Sequence, residues 1–188
     1  MSDGRGVAVK KALVVVAPQV EEVEALAPVD LLRRAGVDCT IAACADQRQV
    51  TGRNGIVFVA DMLLSEVIAE LYDLVVVPGG PAVAQLRQDQ RLLTLLRRCA
   101  AAGRVIAAIC AAPLVLADAG LLEKRRYTGH FSIAETLPDL QDAAVVRDGQ
   151  LITSRGAGTA IAFGLALVEA VCGKAAAEAV AASIHFVG

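Results

Sequence analysis

Residues 104–120 constrain the fold most, because they join a buried strand to a helix through a single cysteine. Val105–Ile109 is a short apolar run with β-branched members, which is typical of a strand buried on both faces. Residues 111–119 are rich in Ala and Leu, with Pro113 where a first helical turn tolerates it and Gly120 where a helix commonly ends. The stretch therefore predicts a strand, a sharp elbow at Cys110 and a helix.

Cys110 is a candidate nucleophile because of this position. A sharp strand-to-helix turn lifts one side chain above the carboxyl edge of a sheet. The free N–H groups and partial positive charge of a helix N-terminus favour a thiolate, so we expect a reactive cysteine. The alternative is a buried and inert cysteine that serves only as a small apolar side chain.

The rest of the chain alternates strand-like apolar runs with helical segments. Strands are predicted at 12–17, 37–44, 73–77 and 105–109, a hairpin-like excursion at 49–59 and a second hairpin at 145–153. Helices are predicted at 21–35, 65–71, 88–102, 111–119, 131–137, 160–171 and 174–183. This alternation predicts one α/β domain over residues 1–188, with a doubly wound, mostly parallel sheet sandwiched by helices, and residues 1–10 as a flexible N-terminus.

Composition excludes several classes of function. The net charge is −2 with no basic run, so nothing indicates binding to nucleic acid or to an anionic membrane. No apolar run approaches the ~20 residues of a transmembrane helix, and the polar N-terminus does not resemble a signal peptide. The five cysteines show neither paired nor metal-ligand spacing, so we expect a cytoplasmic protein without a metal.

Further candidate site residues lie in loops that should meet at the carboxyl edge of the sheet, where open α/β sheets bind ligands. Glu24 is at the edge of the inner face of the first helix, and a partly buried carboxyl can share a proton with a thiolate. Gly79 and Gly80 follow a strand directly, and the N–H groups of Gly80 and Ala111 could bind a developing oxyanion. His130, in a later loop, could reach the cysteine. Each residue also has a simpler interpretation. Glu24 could be a carboxylate that complements the helix dipole, the two glycines could form an ordinary tight turn, and His130 could be a solvated histidine.

Phosphate binding has little support in the sequence. Neither the Gly-x-Gly-x-x-Gly nor the Gly-x-x-x-x-Gly-Lys-Ser/Thr pattern is present. Residues 154–158, SRGAG, could bind phosphate, but they could equally lead into the last long helix. The second histidine, His185, is near the C-terminus, and we expect it to be peripheral.

Five segments in order carry a resemblance to a known family: APQVEEVEA (17–25), VDLLRRAG (29–36), YDLVVVPGG (72–80), AAICAAP (107–113) and LITSRGAGT (151–159). They resemble the ThiJ/PfpI superfamily, with its glutamine-amidotransferase-like fold. Within it they are similar to the branch of the parkinsonism-associated protein deglycase and its bacterial homologues. The resemblance runs from about residue 11 to 183. It implies that Cys110 is an oxidisable nucleophile, Glu24 its carboxyl partner, Gly80 and Ala111 the oxyanion donors, and His130 the neighbouring histidine.

One departure separates the subfamilies. PfpI-type peptidases have a histidine directly after the cysteine, whereas this chain has Ala111. The dyad of a peptidase is therefore missing, and so is the downstream His-x-Glu pair of an amidotransferase.

The resemblance implies a cofactor-independent glyoxalase or deglycase, a homodimer that acts on methylglyoxal, glyoxal or their early adducts in defence against carbonyl and oxidative stress. The main alternative is a redox sensor or holdase chaperone without turnover, in which Cys110 is oxidised to sulfinic acid. Weaker alternatives are a PfpI-type intracellular peptidase and a thiazole-phosphate biosynthesis protein. The remaining cysteines are expected to be structural: Cys39, Cys44, Cys99 and Cys172.

Overall fold

The structure is a computed structural model that describes residues 9–187. Its strands are β1 (Lys11–Val16), β2 (Asp38–Ala43), β3 (Gln49–Thr51), β4 (Val57–Val59), β5 (Met62–Leu63), β6 (Leu74–Val77), β7 (Val105–Ile109), β8 (Val145–Asp148) and β9 (Leu151–Ser154). Its α-helices are α1 (Glu22–Arg34), α2 (Leu64–Val67), α3 (Val83–Leu86), α4 (Gln90–Ala101), α5 (Pro113–Asp118), α6 (Ala160–Cys172) and α7 (Lys174–Ser183). The expected flexible N-terminus falls largely on residues 1–8, outside the described residues.

A seven-stranded sheet forms the centre of the fold, in the order β5-β2-β1-β6-β7-β9-β8. All neighbouring strands are parallel except β8, which pairs with β9 in an antiparallel hairpin. The β3–β4 hairpin forms a separate two-stranded ribbon. These pairings confirm the predicted α/β fold with a mostly parallel sheet.

Helices cover both faces of the sheet, which explains why the central strands are apolar throughout. Every residue of β6 and β7 is buried. Helices α1 and α6 pack together, with α6 also against β7 and β9, while α4 and α5 pack together against β7 as a second group. Gly164 of α6 faces Leu31 of α1, where a side chain would overlap the leucine, so this glycine lets the two helices approach closely.

Strand register brings three loops to one edge of the sheet. Val77 pairs with Ala108, and Ile109 pairs with Ser154. The residues that follow these strands, Gly79, Cys110 and Arg155, therefore leave the sheet side by side. The carboxyl edge of the central strands is where the candidate residues meet.

Several predicted boundaries were wrong. The helix predicted at 88–102 begins at Gln90, because the Asp89 carboxylate caps it by accepting from the N–H groups of Arg91 and Leu92. The segment before it forms the short helix α3, which was not predicted, and neither was the two-residue strand β5. The helices predicted at 65–71 and 131–137 shrink to α2 and to a 3₁₀ turn at Phe131–Ile133.

Among the described residues, none of the helices combines the length and the apolar character that crossing a membrane requires.

Candidate active site

Cys110 occupies a strained elbow at the end of β7. Its φ angle is +65°, a left-handed conformation that costs a residue with a side chain roughly 1–2 kcal/mol. Hydrogen bonds hold the strained residue on both sides. Its N–H donates to the Ser154 carbonyl at 2.9 Å, and its own carbonyl accepts from the His130 N–H at 2.8 Å. The elbow predicted from the sequence is therefore present and is tied to two neighbouring loops.

The helix after the elbow is shorter than predicted. It begins at Pro113 instead of Ala111 and spans six residues, because Cys110, Ala111 and Ala112 form a turn in which the Ala112 N–H donates to the Ile109 carbonyl at 3.1 Å. The N–H groups near the sulfur therefore belong to turns. Those of Gly80 and Ala111 bond to it and act to lower the pKa of the thiol.

Glu24 is the carboxyl partner of Cys110. Its side chain is 1% exposed, and it projects from the first turn of α1 towards the elbow. One carboxyl oxygen, Oε2, accepts from the Gly79 N–H at 2.9 Å, and the carboxyl also forms a hydrogen bond with the Cys110 thiol. The structure thus brings together the two residues that the sequence proposed as a proton-sharing pair.

Burial dominates the protonation of this pair. It raises the pKa of Glu24 from 4.5 to about 7, although the hydrogen bonds from Cys110 and Gly79 act in the opposite direction. Burial, with the adjacent Glu24 charge, also raises the pKa of Cys110 to about 12, which outweighs the Gly80 and Ala111 amides. Burial therefore acts against the resting thiolate that the sequence predicts. Above pH 7 the pair holds one proton, and Glu24 is the group placed to accept it from the thiol.

Comparison with a second cysteine shows what distinguishes Cys110. The buried Cys44 thiol also contacts a carboxylate, Asp89 Oδ2, at 3.0 Å, and burial raises the pKa of this thiol to about 12. However, Arg91 binds the Asp89 carboxylate and strongly lowers its pKa, so Asp89 is a poor proton acceptor. Of these two cysteines, Cys110 is the one that pairs with a carboxyl whose pKa lies near neutrality, which suits a general base.

The glycines after β6 are required by close packing. A side chain on Gly79 would come within 2.6 Å of both the Cys110 Cβ and the Glu24 Oε2 atoms. Gly80 has a φ of +88°, and a Cβ there would lie 2.6 Å from the Glu21 nitrogen. Because the Gly79 N–H is bound to Glu24, the amides left for an oxyanion are those of Gly80 and Ala111.

His130 lies beside the pair and is oriented by its own loop. Its Nδ1 accepts from the Ser132 N–H at 3.2 Å and lies 2.8 Å from the Ser132 hydroxyl. The ring also packs against Phe131, which is 78% exposed. With Nδ1 accepting a hydrogen bond, a neutral ring carries its proton on Nε2. By contrast, the exposed His185 lies just beyond α7, in the last residues of the chain.

Sequence reasoning missed one wall of the site. A Cβ built on Gly156 would lie 3.7 Å from Glu24 Oε1, 3.7 Å from the His130 ring and 4.0 Å from the Cys110 sulfur. The SRGAGT segment carries part of the family resemblance, but its nearness to the cysteine depends on the pairing of β9 with β7. Sequence alone does not reveal this pairing.

Two cavities compete as binding sites. A cleft of about 600 Å³ opens beside the pair, and its walls include His130, Phe131 and Gly156. A larger cavity of about 800 Å³ lies at the end of β2, with Cys44 and Arg91 in its wall. The smaller cleft is the better candidate, because Gly156 in its wall lies next to the Cys110 sulfur and the Glu24 carboxyl.

The other four cysteines are buried or partly buried. All five cysteines of the chain are free. Cys39, Cys44 and Cys99 are buried in the core, and Cys172 is partly buried at the end of α6. Burial raises the pKa of Cys39 to about 12 and also raises that of Cys172.

Curated proteins of several eukaryotes are similar to this chain. It is 38% identical to Protein dj-1beta of Drosophila melanogaster over 177 residues, which cover 92% of this chain and 95% of that protein. It is 33% identical to Glutathione-independent glyoxalase DJR-1.2 of Caenorhabditis elegans, over 87% of this chain and 90% of that protein. Protein DJ-1 homolog A of Arabidopsis thaliana is also 38% identical over 91% of this chain, which spans only 45% of that longer protein.

Solved structures agree with this relationship. Oxidized DJ-1 of Toxoplasma gondii superposes with a TM-score of 0.92 at 34% identity, over 96% of this chain and all of that chain. The sequence profile of the DJ-1/PfpI family matches residues 10–170, which contain every candidate site residue described above. This chain therefore belongs to the DJ-1/PfpI family.

Proposed function

We propose that this protein is a cofactor-independent glyoxalase or deglycase that converts methylglyoxal, glyoxal or their early adducts through Cys110. The observation that carries the proposal is the contact between the Cys110 thiol and the Glu24 carboxyl, whose pKa is about 7. Such a carboxyl can take a thiol proton at neutral pH and return it to a product, as a general acid and base must.

The first step forms a carbon–sulfur bond. The Cys110 sulfur attacks the aldehyde carbon while its proton passes to Glu24, which needs no free thiolate in the resting protein. The carbonyl oxygen becomes an oxyanion that the N–H groups of Gly80 and Ala111 stabilise, because both already point at the sulfur. Proton return from Glu24 then gives a hemithioacetal.

The second step moves a proton between the two carbons of the substrate. Glu24, assisted by His130, removes the proton from the former aldehyde carbon, and the neighbouring ketone carbon receives one. The first carbon is oxidised and the second reduced, so no external electron acceptor is needed. Water hydrolyses the resulting thioester and releases lactate from methylglyoxal, or glycolate from glyoxal, with the thiol restored.

The relationship to DJR-1.2 supports this choice, because that protein is named a glutathione-independent glyoxalase. Ala111 in place of the histidine of PfpI-type peptidases removes a dyad that a peptidase would use. The free state of all five cysteines supports a reducing compartment such as the cytoplasm.

The test is multiple-turnover formation of lactate from methylglyoxal with metals chelated. We expect many equivalents per protein from wild type and none from Cys110→Ser. Cys44→Ser is the matched control, because Cys44 is a thiol beside a carboxylate that cannot act as the base. No lactate from wild type, or full activity in Cys110→Ser, would refute the proposal.

A redox sensor or holdase chaperone is the second candidate. The two amides and the carboxyl around the sulfur could equally hold the oxygens of a sulfinic acid. A related solved structure, that of Toxoplasma gondii DJ-1, is described as oxidized. This candidate leads if wild type makes no lactate while peroxide adds two oxygen atoms to Cys110, as seen by mass spectrometry.

A homodimer is part of the proposal. Apolar side chains on α1 and on the β3–β4 ribbon are at least half exposed: Val23, Ile56, Val57 and Val59. Exposed apolar groups of this kind mark interaction surfaces when they lie together. Sedimentation equilibrium should give twice the chain mass, and a monomer at micromolar concentration would contradict this part.

A further inference from the structure

Gly156 is a glycine that the fold does not require. Its backbone is extended, with φ of 162° and ψ of −168°, a conformation that any residue can adopt. A Cβ built there would meet no atom closer than 3.7 Å, so packing does not forbid a side chain either. Gly79 and Gly80 differ, because a Cβ on either would lie 2.6 Å from a neighbouring atom.

The space beside Gly156 is the space in which a substrate reacts. The three atoms nearest to its built Cβ belong to Glu24, His130 and Cys110, which are the three side chains of the proposed reaction. A carbonyl carbon ready for attack stands about 3–3.5 Å from the sulfur. A methyl group 4.0 Å from the same sulfur, and 3.7 Å from the other two groups, would therefore compete with the substituents of that carbon.

The wall at Gly156 cannot move away easily. Its carbonyl accepts from the N–H and the hydroxyl of Thr159, both at 2.8 Å, and its own N–H donates to that hydroxyl at 3.2 Å. The Thr159 hydroxyl in turn lies 2.6 Å from that of Ser154, whose carbonyl accepts from the Cys110 N–H. The distance between the wall and the elbow is thus fixed by a short chain of hydrogen bonds.

We propose that Gly156 determines substrate size: the absence of a side chain there keeps open the volume that the substituent next to the attacked carbonyl occupies. This inference rests on the proposed function and deepens it. Wild type accepts α-oxoaldehydes whose second carbon carries a methyl or larger group. A methyl group on Gly156 disfavours the larger members relative to the smallest, glyoxal.

The test compares wild type, Gly156→Ala and Gly158→Ala on glyoxal, methylglyoxal and phenylglyoxal. Gly158 is the matched control, because it lies in the same wall of the cleft, but a Cβ there meets no atom within 4 Å and so does not approach the three reacting side chains. In Gly156→Ala we expect kcat/KM for phenylglyoxal to fall about tenfold or more relative to glyoxal, the scale at which one methyl group discriminates in a pocket. Gly158→Ala should keep the wild-type ratios.

Three outcomes would overturn the inference. The first is an unchanged ratio in Gly156→Ala, and the second is an equal loss on all three substrates, which would indicate damage to the reaction and not a size limit. The third is failure of Gly156→Ala to fold, which thermal denaturation would detect. The inference requires that the fold tolerate a side chain at this position.

A second measurement separates this inference from the proposed function. Alkylation of Cys110 by iodoacetamide and by the bulkier N-phenylmaleimide, quantified on the Cys110 peptide by mass spectrometry, needs no turnover. We expect Gly156→Ala to slow the bulky reagent about tenfold relative to the small one. If wild type turns over no oxoaldehyde but this selective slowing occurs, the proposed function fails and the size role of Gly156 stands. Equal slowing, or none, overturns the size role.

Discussion

Replacing Glu24 by glutamine should change how the stability of the protein depends on pH. Glu24 is almost fully buried, and its pKa in the folded protein is about 7, against 4.5 for a solvated glutamate. The folded state therefore holds the proton more tightly than the unfolded chain. The stabilisation is complete below pH 4.5 and is lost as the pH rises to about 7, because the native state then bears the cost of a buried charge.

The pKa difference sets the size of the effect. A rise from 4.5 to about 7 corresponds to about 3 kcal/mol in the free energy of unfolding between these two pH values. A glutamine side chain at this position cannot ionise but keeps an oxygen that can accept from the Gly79 N–H. The difference in unfolding free energy between wild type and Glu24→Gln should therefore move by up to about 3 kcal/mol in favour of the variant as the pH rises from 4.5 to about 7.5.

Urea denaturation at fixed protein concentration and several pH values between 4.5 and about 7.5 measures this difference. Glu22→Gln is the matched control, because Glu22 is also buried on α1. Although burial acts to raise the pKa of Glu22, hydrogen bonds from Asn54 and Ile56 outweigh burial and lower it. The stabilisation that the Glu22 carboxylate contributes is therefore lost only as the pH falls below 4.5. The difference in unfolding free energy between wild type and Glu22→Gln should stay flat over the measured range. A flat curve for Glu24→Gln as well would contradict the assignment of a raised pKa to Glu24.

Three further predictions follow from the same geometry. The kcat/KM of wild type for methylglyoxal should rise with pH through about 7 as Glu24 becomes a carboxylate, and a profile still rising at that pH in Glu24→Gln would assign the base elsewhere. Cys110→Gly should be more stable to urea than Cys110→Ala by about 1 kcal/mol, because only glycine adopts a φ of +65° without strain; equal stability would contradict a strained elbow. Gly79→Ala should lower the free energy of unfolding by about 1–3 kcal/mol, because its Cβ would overlap Cys110 and Glu24, whereas Gly158→Ala should leave it unchanged.

Local sequence patterns were sufficient for the fold class and for most elements. The runs that became β1, β6 and β7 indicated buried strands, because short, continuously apolar segments rich in β-branched residues are typical of a sheet covered on both faces. The Asn54-Gly55 and Asp148-Gly149 pairs correctly marked the turns of both hairpins. Short helices were predicted poorly, since packing decides whether a single turn forms.

The sequence also identified Cys110, because a cysteine between a buried strand and Pro113 can be recognised from its neighbours alone. Its pairing with Glu24 was a hypothesis from helix periodicity, and the resemblance made it specific. The protonation of the pair depends on tertiary structure. The nearby helix N-terminus predicted a thiolate, but the helix starts later, and burial with the adjacent Glu24 charge raises the pKa of the thiol. Desolvation depends on every element around a group, and a local pattern cannot report it.

Gly156 is a second feature that a local sequence pattern does not reveal. In the sequence it is one glycine in a loop that leads into α6, with no feature that connects it to Cys110, 46 positions earlier. Only the parallel pairing of β9 with β7 places it 4.0 Å, measured from a built Cβ, from the sulfur. The sequence by itself determined which residues carry the proposed chemistry and the kind of sheet that presents them. The tertiary structure decided their protonation and the space left for a substrate, because both arise from contacts between segments far apart in the chain.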